Sequence, residues 1–366
     1  MSQTVNNLGN VAEHRLKRVR ITDIAQAANV SRATVSKVLL GTGGANTRVS
    51  ASTAERVRRL AQKLDFRPNL AAQTLAGKRT RVIGAVIDVA AGASANRRLQ
   101  TIDRVCTARG YRLLVGYVHN SYDKIAEFAD DFYGREVEGV ICMAHNYPEF
   151  GLRITQLFRR FPNRVFTPAP MVDAGDTFVS TDFRRLSYLA ADHLLKLGRR
   201  RVVMVRRYGD ASQFRVRDWD GGFRDAHQAH GRELEPRQIV MGETSLNNRP
   251  RFARDIADKV LAAGADAVVT TNDTAALWLM GELRRRGHRI PEDVAIVGCQ
   301  RDPDGWASDI RLTSVDRRER IIARHAINQL LEQIDLPPDQ PRTPRRITVA
   351  PRLVVGDSCG ARRSAD

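Results

Sequence analysis

Four residues, Arg32, Ala33, Ser36 and Lys37, follow directly on Ser31 at spacings i, i+1, i+4 and i+5. On a helix this spacing gathers two cationic donors, a methyl group and a hydroxyl onto one face. Guanidinium and ammonium groups donate to guanine O6 and N7, and a methyl group meets the thymine methyl, so the face suits a DNA major groove. The stretch that must position it is RITDIAQAANVSRATVSKVL, residues 20–39. Its pattern predicts two short helices across a three-residue turn. Thr22 is the expected N-cap of the first, with Asp23 placed for the helix dipole and Ile24, Ala25 and Ala28 as the apolar face. Ser31 caps the second, whose inward face is Val35, Val38 and Leu39. A basic helix docked on another across a tight turn is the geometry that enters a major groove. The alternative is an ordinary helical hairpin with a solvated outer face.

A third helix is expected from Ser50 to Leu64, capped by Ser50 or Ser52, with Ala54, Val57, Leu60, Ala61 and Leu64 inward. The Gly-rich loop GTGGANTR (41–48) separates it from the second. No G-K-[ST] follows, so this is not a Walker loop. Residues 67–80, RPNLAAQTLAGKRT, form a connector. Pro68 and Asn69 mark a helix start and Gly77 suits its end, leaving about eight helical residues. A helix this short is marginal in water and needs partners, here a second copy and DNA. Ala71, Ala72 and Ala76 permit close approach of two such helices, and Leu75 is shaped to wedge into a minor-groove step. The competing reading of Leu75 is simple packing on the body.

The chain has 366 residues and carries 59 Lys and Arg against 41 Asp and Glu, a net charge of +18. Residues 1–80 hold 14 of the cations and 4 of the anions, so over half the excess lies in the first quarter, a footprint for phosphate backbones. The four cysteines, Cys106, Cys142, Cys299 and Cys359, form no C-x-x-C pair, which argues against a disulfide framework or zinc ribbon. Residues 1–18 read as a flexible arm without the apolar region of a secretory signal, and no stretch is long and apolar enough to span a membrane. A cytoplasmic protein is expected.

From residue 81 the pattern alternates between strand and helix. Apolar runs at 82–87, 111–118, 139–144, 201–205, 267–271 and 294–298 read as buried parallel strands, separated by helical patterns such as 184–197, 218–230, 251–263 and 274–287. Some 270 residues of this pattern exceed one doubly wound unit and predict two subdomains flanking a cleft. Such clefts take small molecules at the carboxyl ends of the strands. No G-x-G-x-x-G opens a helix, so no nucleotide cofactor is indicated. His227 and His230 read as a solvated helix face rather than metal ligands. Trp278 reads as core, and Trp306 as either packing or stacking on a ligand.

With these segments in view, the chain resembles the LacI/GalR family of bacterial transcription regulators. The resemblance spans Arg20 to about Ser358 and rests on ITDIAQAANVSRATVSKVL, FRPNLAAQTLAGKRT, HLLKLGRRRV (193–202), TNDTAALWLM (271–280), IPEDVAIVG (290–298) and LTSV (312–315). It implies an all-α helix-turn-helix headpiece (19–66), a hinge helix (67–80), an α/β body of two doubly wound subdomains like a type I periplasmic binding protein (81–358), and a short tail (359–366). It also implies a homodimer, or a dimer of dimers, on a roughly palindromic operator of double-stranded DNA. The tail shows no leucine heptads, which speaks against a coiled-coil tetramer. No enzyme activity, metal, cofactor or membrane contact is expected, only a small-molecule effector.

Arg32, Ala33 and Lys37 fall at the family's base-reading positions, and Asn29, Ser31, Thr34 and Ser36 are better placed for phosphates. Thr22, Ser50, Asn69 and Ala72 complete the expected DNA face, with Leu75 at the wedge position. On the effector side the resemblance places Asp182 and the pair Asn272–Asp273. The family's Arg before its Gly-aromatic pair falls on Trp219, with Arg217 or Arg215 as substitutes. The V-G-[FY]-D motif reads V-G-C-Q, so Gln300 stands where a carboxylate grips sugar hydroxyls, and Arg301 follows; Trp306 completes the set. The Gln300–Arg301 pair and the arginines of 206–217 point to an anionic metabolite rather than a neutral sugar. Rival functions, a periplasmic sugar-binding protein or a sugar enzyme, lack respectively a reason for the headpiece and a catalytic constellation.

Overall fold

The computed structural model describes residues 19–41, 48–67, 78–89, 92–145, 147, 149–170, 175–207, 213–242 and 249–361, in two compact units that divide between Thr80 and Arg81. The first unit holds α1 (Ile21–Ala28), α2 (Arg32–Leu40) and α3 (Ala51–Lys63). Helix α1 starts earlier than Thr22 predicts. Its N-cap is Arg20, because the Asp23 carboxylate reaches back to accept the Arg20 N–H at 2.8 Å, leaving Thr22 exposed in the first turn. Asn29 ends α1 in the left-handed conformation (φ 50°), which a short polar side chain tolerates. Ser31 Oγ then accepts the Thr34 N–H at 3.1 Å and starts α2, and Ser50 Oγ caps α3 through the Thr53 N–H at 3.2 Å.

Ile24, Ala25, Ala28, Val35, Val57 and Ala61 make the headpiece core, with Val38, Leu39 and Leu60 half-buried against it. Leu64, expected inward, is exposed. The chain turns at Asp65 (φ 48°), and Phe66 packs in its place.

In the second unit the six long apolar runs all form strands. The first sheet contains β1 (Val82–Asp88), β2 (Arg112–Val118), β3 (Gly139–Cys142), β4 (Arg164–Phe166), β5 (Phe178–Thr181) and β11 (Arg346–Val349), all parallel, in the order β11-β5-β4-β3-β1-β2. Helices α4 (Gly92–Ala108) and α12 (Glu319–Asp335) cover one face, and α5 (Tyr122–Gly134) and α6 (Gly151–Phe158) the other. The second sheet contains β6 (Val202–Arg207), β7 (Ile239–Gly242), β8 (Ala267–Thr270), β9 (Ala295–Gly298), β10 (Thr313–Asp316) and β12 (Arg352–Val354), in the order β12-β10-β9-β8-β6-β7. Only β12 runs antiparallel to its neighbour. Helices α7 (Phe183–Lys196) and α8 (Gln213–Ala229) cover one face and α9 (Arg249–Ala262) and α10 (Asp273–Arg285) the other.

Burial on both faces explains the unbroken apolar runs of β1, β3, β6, β8 and β9, whereas β2 lies at the sheet edge and is only partly buried. The chain passes between the sheets three times, after β5, β10 and β11. The packed chain continues to Cys359, which is buried in the second subdomain.

Candidate DNA-reading face and effector cleft

On α2, Arg32 and Ala33 are exposed, and Ser36 and Lys37 half-buried. Ser31 Oγ is engaged by the Thr34 N–H and lies 2.9 Å from Thr34 Oγ1, so both residues shape the helix start as well as its surface. The first-turn N–H groups that no intrahelical bond satisfies give this end an affinity for phosphate oxygens. Asn29 is exposed beside that end in the turn between the helices. Ser50 Oγ is held at the start of α3 by Ser52 and Thr53. Asn69, Ala72 and Leu75 lie outside the described residues.

In the second unit, Asp182, Asn272, Asp273 and Gln300 all follow the carboxyl ends of strands, where open α/β sheets take ligands. Asp182 caps α7 through the Arg185 N–H (2.8 Å), and Asn272 caps α10 through the Ala275 N–H (2.8 Å). Asp273 is 1% exposed. Its Oδ1 accepts from Ser314 Oγ at 2.7 Å and its Oδ2 from the Asp302 N–H at 2.6 Å. Ser314 Oγ in turn accepts the N–H groups of Gln300 (3.1 Å) and Arg301 (2.8 Å), so one carboxylate stitches the turn after β9 to β10. Gly298 makes room for it: a Cβ there would lie 2.2 Å from Asp273 Oδ1.

Burial pushes the Asp273 carboxyl up from 3.8 to about 6, against the opposing hydrogen bonds from Ser314 and the Asp302 main chain. For an acid, a folded-state pKa above the unfolded value means that ionisation destabilises the fold, by about 3 kcal/mol for a shift of this size. The penalty is absent below about pH 4 and complete above about pH 6. Asp273→Asn does not titrate, but its amide donor faces either the fully engaged Ser314 Oγ or the Asp302 N–H. The variant is expected to melt lower than wild type at pH 4 and to close part of that gap by pH 7. A gap in Tm independent of pH would count against the burial argument.

Gln300 turns its amide donor to the first subdomain. Its Nε2 donates to Ser94 Oγ on α4 at 3.3 Å, and its main-chain oxygen accepts from Arg97 Nη2 at 3.0 Å. Trp219 is 3% exposed, in the core between α7 and α8, with its ring 6.0 Å from that of Phe183. Arg217 is exposed on α8. Trp306 lies on a short helix, α11 (Pro303–Ala307), 41% exposed, with the guanidinium groups of Arg301 and Arg311 at 5.9 and 5.6 Å from its ring. Arg301 adopts φ 54° and turns towards Trp306 and Asp316, so the expected Gln300–Arg301 anion pair does not form.

His227 also corrects its reading. It is buried, its Nδ1 lies 2.8 Å from the Phe223 carbonyl, and Gln238 Nε2 approaches its Nε2 at 3.3 Å; burial lowers its pKa and favours the neutral ring. Trp278 is half-buried against the second core and meets the Phe252 ring edge-on at 5.7 Å. Among the described residues no group of three His, Cys, Asp or Glu is arranged to hold a metal, and no helix is long and apolar enough to cross a membrane.

A family profile described as bacterial regulatory proteins, lacI family, matches residues 20–69, and one described as a periplasmic binding protein-like domain matches 191–359. The chain belongs to the LacI family. It is a DNA-binding transcription regulator with an effector-binding domain, and not an enzyme. The HTH-type transcriptional repressor PurR of Vibrio vulnificus is 26% identical over 343 residues, 92% of this chain and 98% of that protein. A lac repressor dimer bound to operator and the anti-inducer ONPF shares the fold with a TM-score of 0.78 and 20% identity, covering 94% of this chain and all of that one. A complex of the transcriptional regulator CelR with cellobiose gives 0.66 at 23% identity, over 93% of this chain and all of that one.

Within this LacI-family body the structure adds three residues that are absent from the sequence expectations. Arg97 on α4 reaches from the first subdomain to the second, donating to the Arg301 carbonyl (3.0 Å) and Asp302 Oδ1 (2.9 Å) as well as to Gln300. Arg98 donates to Glu319 Oε2 at 2.8 Å and to both the carbonyl and Oγ1 of Thr167 at 3.0 Å. Arg317 follows β10 and donates to the Thr271 carbonyl at 2.6 Å. The available signal was charge in places where doubly wound proteins put ligands: an Arg pair in the helix after β1, and an Arg at the end of β10.

Proposed function

We propose that this regulator is a cytoplasmic homodimer that represses transcription from a roughly palindromic operator and is switched by a small metabolite bound between its subdomains. The observation that carries the DNA half is the exposed Arg32–Ala33 end of α2, held out on a capped turn with Ser36 and Lys37 beside it. Arg32 and Lys37 donate to guanine edges and Ala33 meets a thymine methyl, while Asn29, Ser31, Thr34 and Ser36 seat the helix on phosphates. Thr22 and Ser50, at the starts of the flanking helices, extend the phosphate contacts. Two headpieces in a dimer then read two half-sites. The segment 67–80 with Asn69, Ala72 and Leu75 is the hinge that folds between the partners and kinks the minor groove.

The effector half follows from two sheets whose carboxyl ends carry Asp182, Asn272, Asp273 and Gln300 around one junction. The CelR complex with cellobiose and the lac repressor complex with ONPF support a carbohydrate or related compound there. Effector binding changes the angle between subdomains, and a few kcal/mol of differential affinity suffices to fold or unfold a marginal hinge on DNA.

Operator selection from randomised duplexes tests the DNA half. With Lys37→Ala the preference at one base position of each half-site is expected to relax, at a cost of about 1–3 kcal/mol. A uniform loss of affinity, with the salt slope reduced by about one, would assign Lys37 to a phosphate instead.

A further inference from the structure

Several cations stand at the junction between the two sheets, and most are already engaged. Arg97 holds Gln300, Arg301 and Asp302, and Arg98 holds Glu319 and Thr167. Arg206, at the end of β6, is ion-paired with Asp220 at 3.1 Å, although its Nε and Nη1 make no hydrogen bond among the described residues. Arg317 has neither an ion pair nor a full set of hydrogen bonds among the described residues. Its one hydrogen bond runs from Nη2 to the Thr271 carbonyl, and its Nε is buried without a partner among the described residues. The guanidinium lies 5.5 and 5.9 Å from the ring centroids of Phe183 and Trp219, an aromatic shelf that keeps one face dry. Two carboxylates that feel its charge are otherwise engaged: Asp273 by Ser314 and the Asp302 N–H, and Asp302 by Arg97.

A second group lacks a partner at the same junction. Glu319 Oε1 is buried and unpaired among the described residues, while Oε2 takes Arg98. Asp302, held by Arg97, also feels the charges of Arg317 and Glu319. At position 300 the amide donates to Ser94, so no carboxylate is offered there to a neutral polyol.

We infer that the effector is a hydroxylated anion, a sugar acid or sugar phosphate, whose anionic oxygens take the free edge of Arg317 while a hydroxyl donates to Glu319. A guanidinium has donors only, and its unpaired N–H in a desolvated site selects an anionic oxygen over a hydroxyl. The inference rests on the proposed effector cleft and narrows its ligand class.

The test uses the full-length wild-type protein and matched probes: glucose, gluconate and glucose 6-phosphate, with the galactose series beside them. Thermal shift followed by calorimetry is expected to give at least about tenfold preference for one anion over its neutral parent. Arg317→Gln is expected to weaken that anion by about 30-fold, the scale of one charge-assisted hydrogen bond. Arg317→Lys, which keeps the charge, is expected to lose less, and this variant separates recognition from misfolding. Carboxylate and phosphate arms distinguish the two anion types. Binding confined to neutral sugars, no anion bound at all, or Arg317→Gln binding the same anion within about threefold of wild type would overturn the inference. Operator binding by the unliganded wild type, measured on the same preparation, checks the regulator reading separately.

Discussion

Replacing Gly222 by alanine is expected to destabilise the second subdomain by about 3 kcal/mol or more. Helices α7 and α8 cross with their main chains in contact at this residue. A Cβ at position 222 would lie 1.9 Å from the Arg184 carbonyl oxygen, 2.8 Å from its carbon and 3.0 Å from the Tyr188 nitrogen. Every obstruction is backbone, so no side-chain rotation relieves it and the helices must part. Parting them loosens Trp219 and Phe223, which fill the core beneath. For a domain of this size the melting temperature should fall by roughly 6–12 °C. Gly221→Ala is the control. Its Cβ would meet the tip of the flexible Arg184 side chain at 2.9 Å, so it should melt within about 2 °C of wild type. Equal effects at the two positions would mean that the helices slide freely.

Removing Arg98 should cost a comparable amount in the first subdomain. Its guanidinium joins α4 to the start of α12 and to the end of β4, and Glu319, its partner, is 3% exposed. Arg98→Met keeps much of the bulk but leaves a buried carboxylate without its cation and the Thr167 carbonyl and hydroxyl without a donor. Breaking one side of such a pair costs about 3–5 kcal/mol, whereas removing both partners is far milder. In a urea-unfolding cycle, Arg98→Met combined with Glu319→Gln should therefore recover more than about 1.5 kcal/mol relative to additivity. Additive losses would show that the two side chains stabilise the fold independently.

The headpiece was legible because its signals are local. Ser31 and Ser50 lie one residue before their helices, and Ile24, Ala28, Val35, Val57 and Ala61 follow the helical period. Only the first cap was misplaced, since Asp23 is an equally good partner for a main-chain N–H further back. Six strands were legible because they lie in long apolar runs, which burial on both faces demands of all but the edge strand β2. The other six have three or four residues and include TSVD and RITV, whose polar residues make sense only beside their neighbours. β11, for example, pairs with β5, far away along the chain.

The effector side was harder for the same reason. Arg97 meets Gln300 across more than two hundred residues, and nothing local to either predicts it. Trp219 was different, because its signal was present: Trp219, Phe223, Ala226 and His227 repeat at i, i+4, i+7 and i+8, the stripe of a buried helix face. Alignment to a family position outweighed that stripe. At Arg301 neighbourhood in sequence suggested a shared site with Gln300, but a left-handed residue turns its side chain away.

Two of the three acceptors that Arg97 uses across the subdomains are main-chain carbonyls, those of residues 300 and 301. Every amino acid supplies such a carbonyl. Substitutions at these two positions can therefore change which ligand is recognised while the grip between the subdomains survives. The chain thereby separates the evolution of its chemical vocabulary from the machinery that acts on the message.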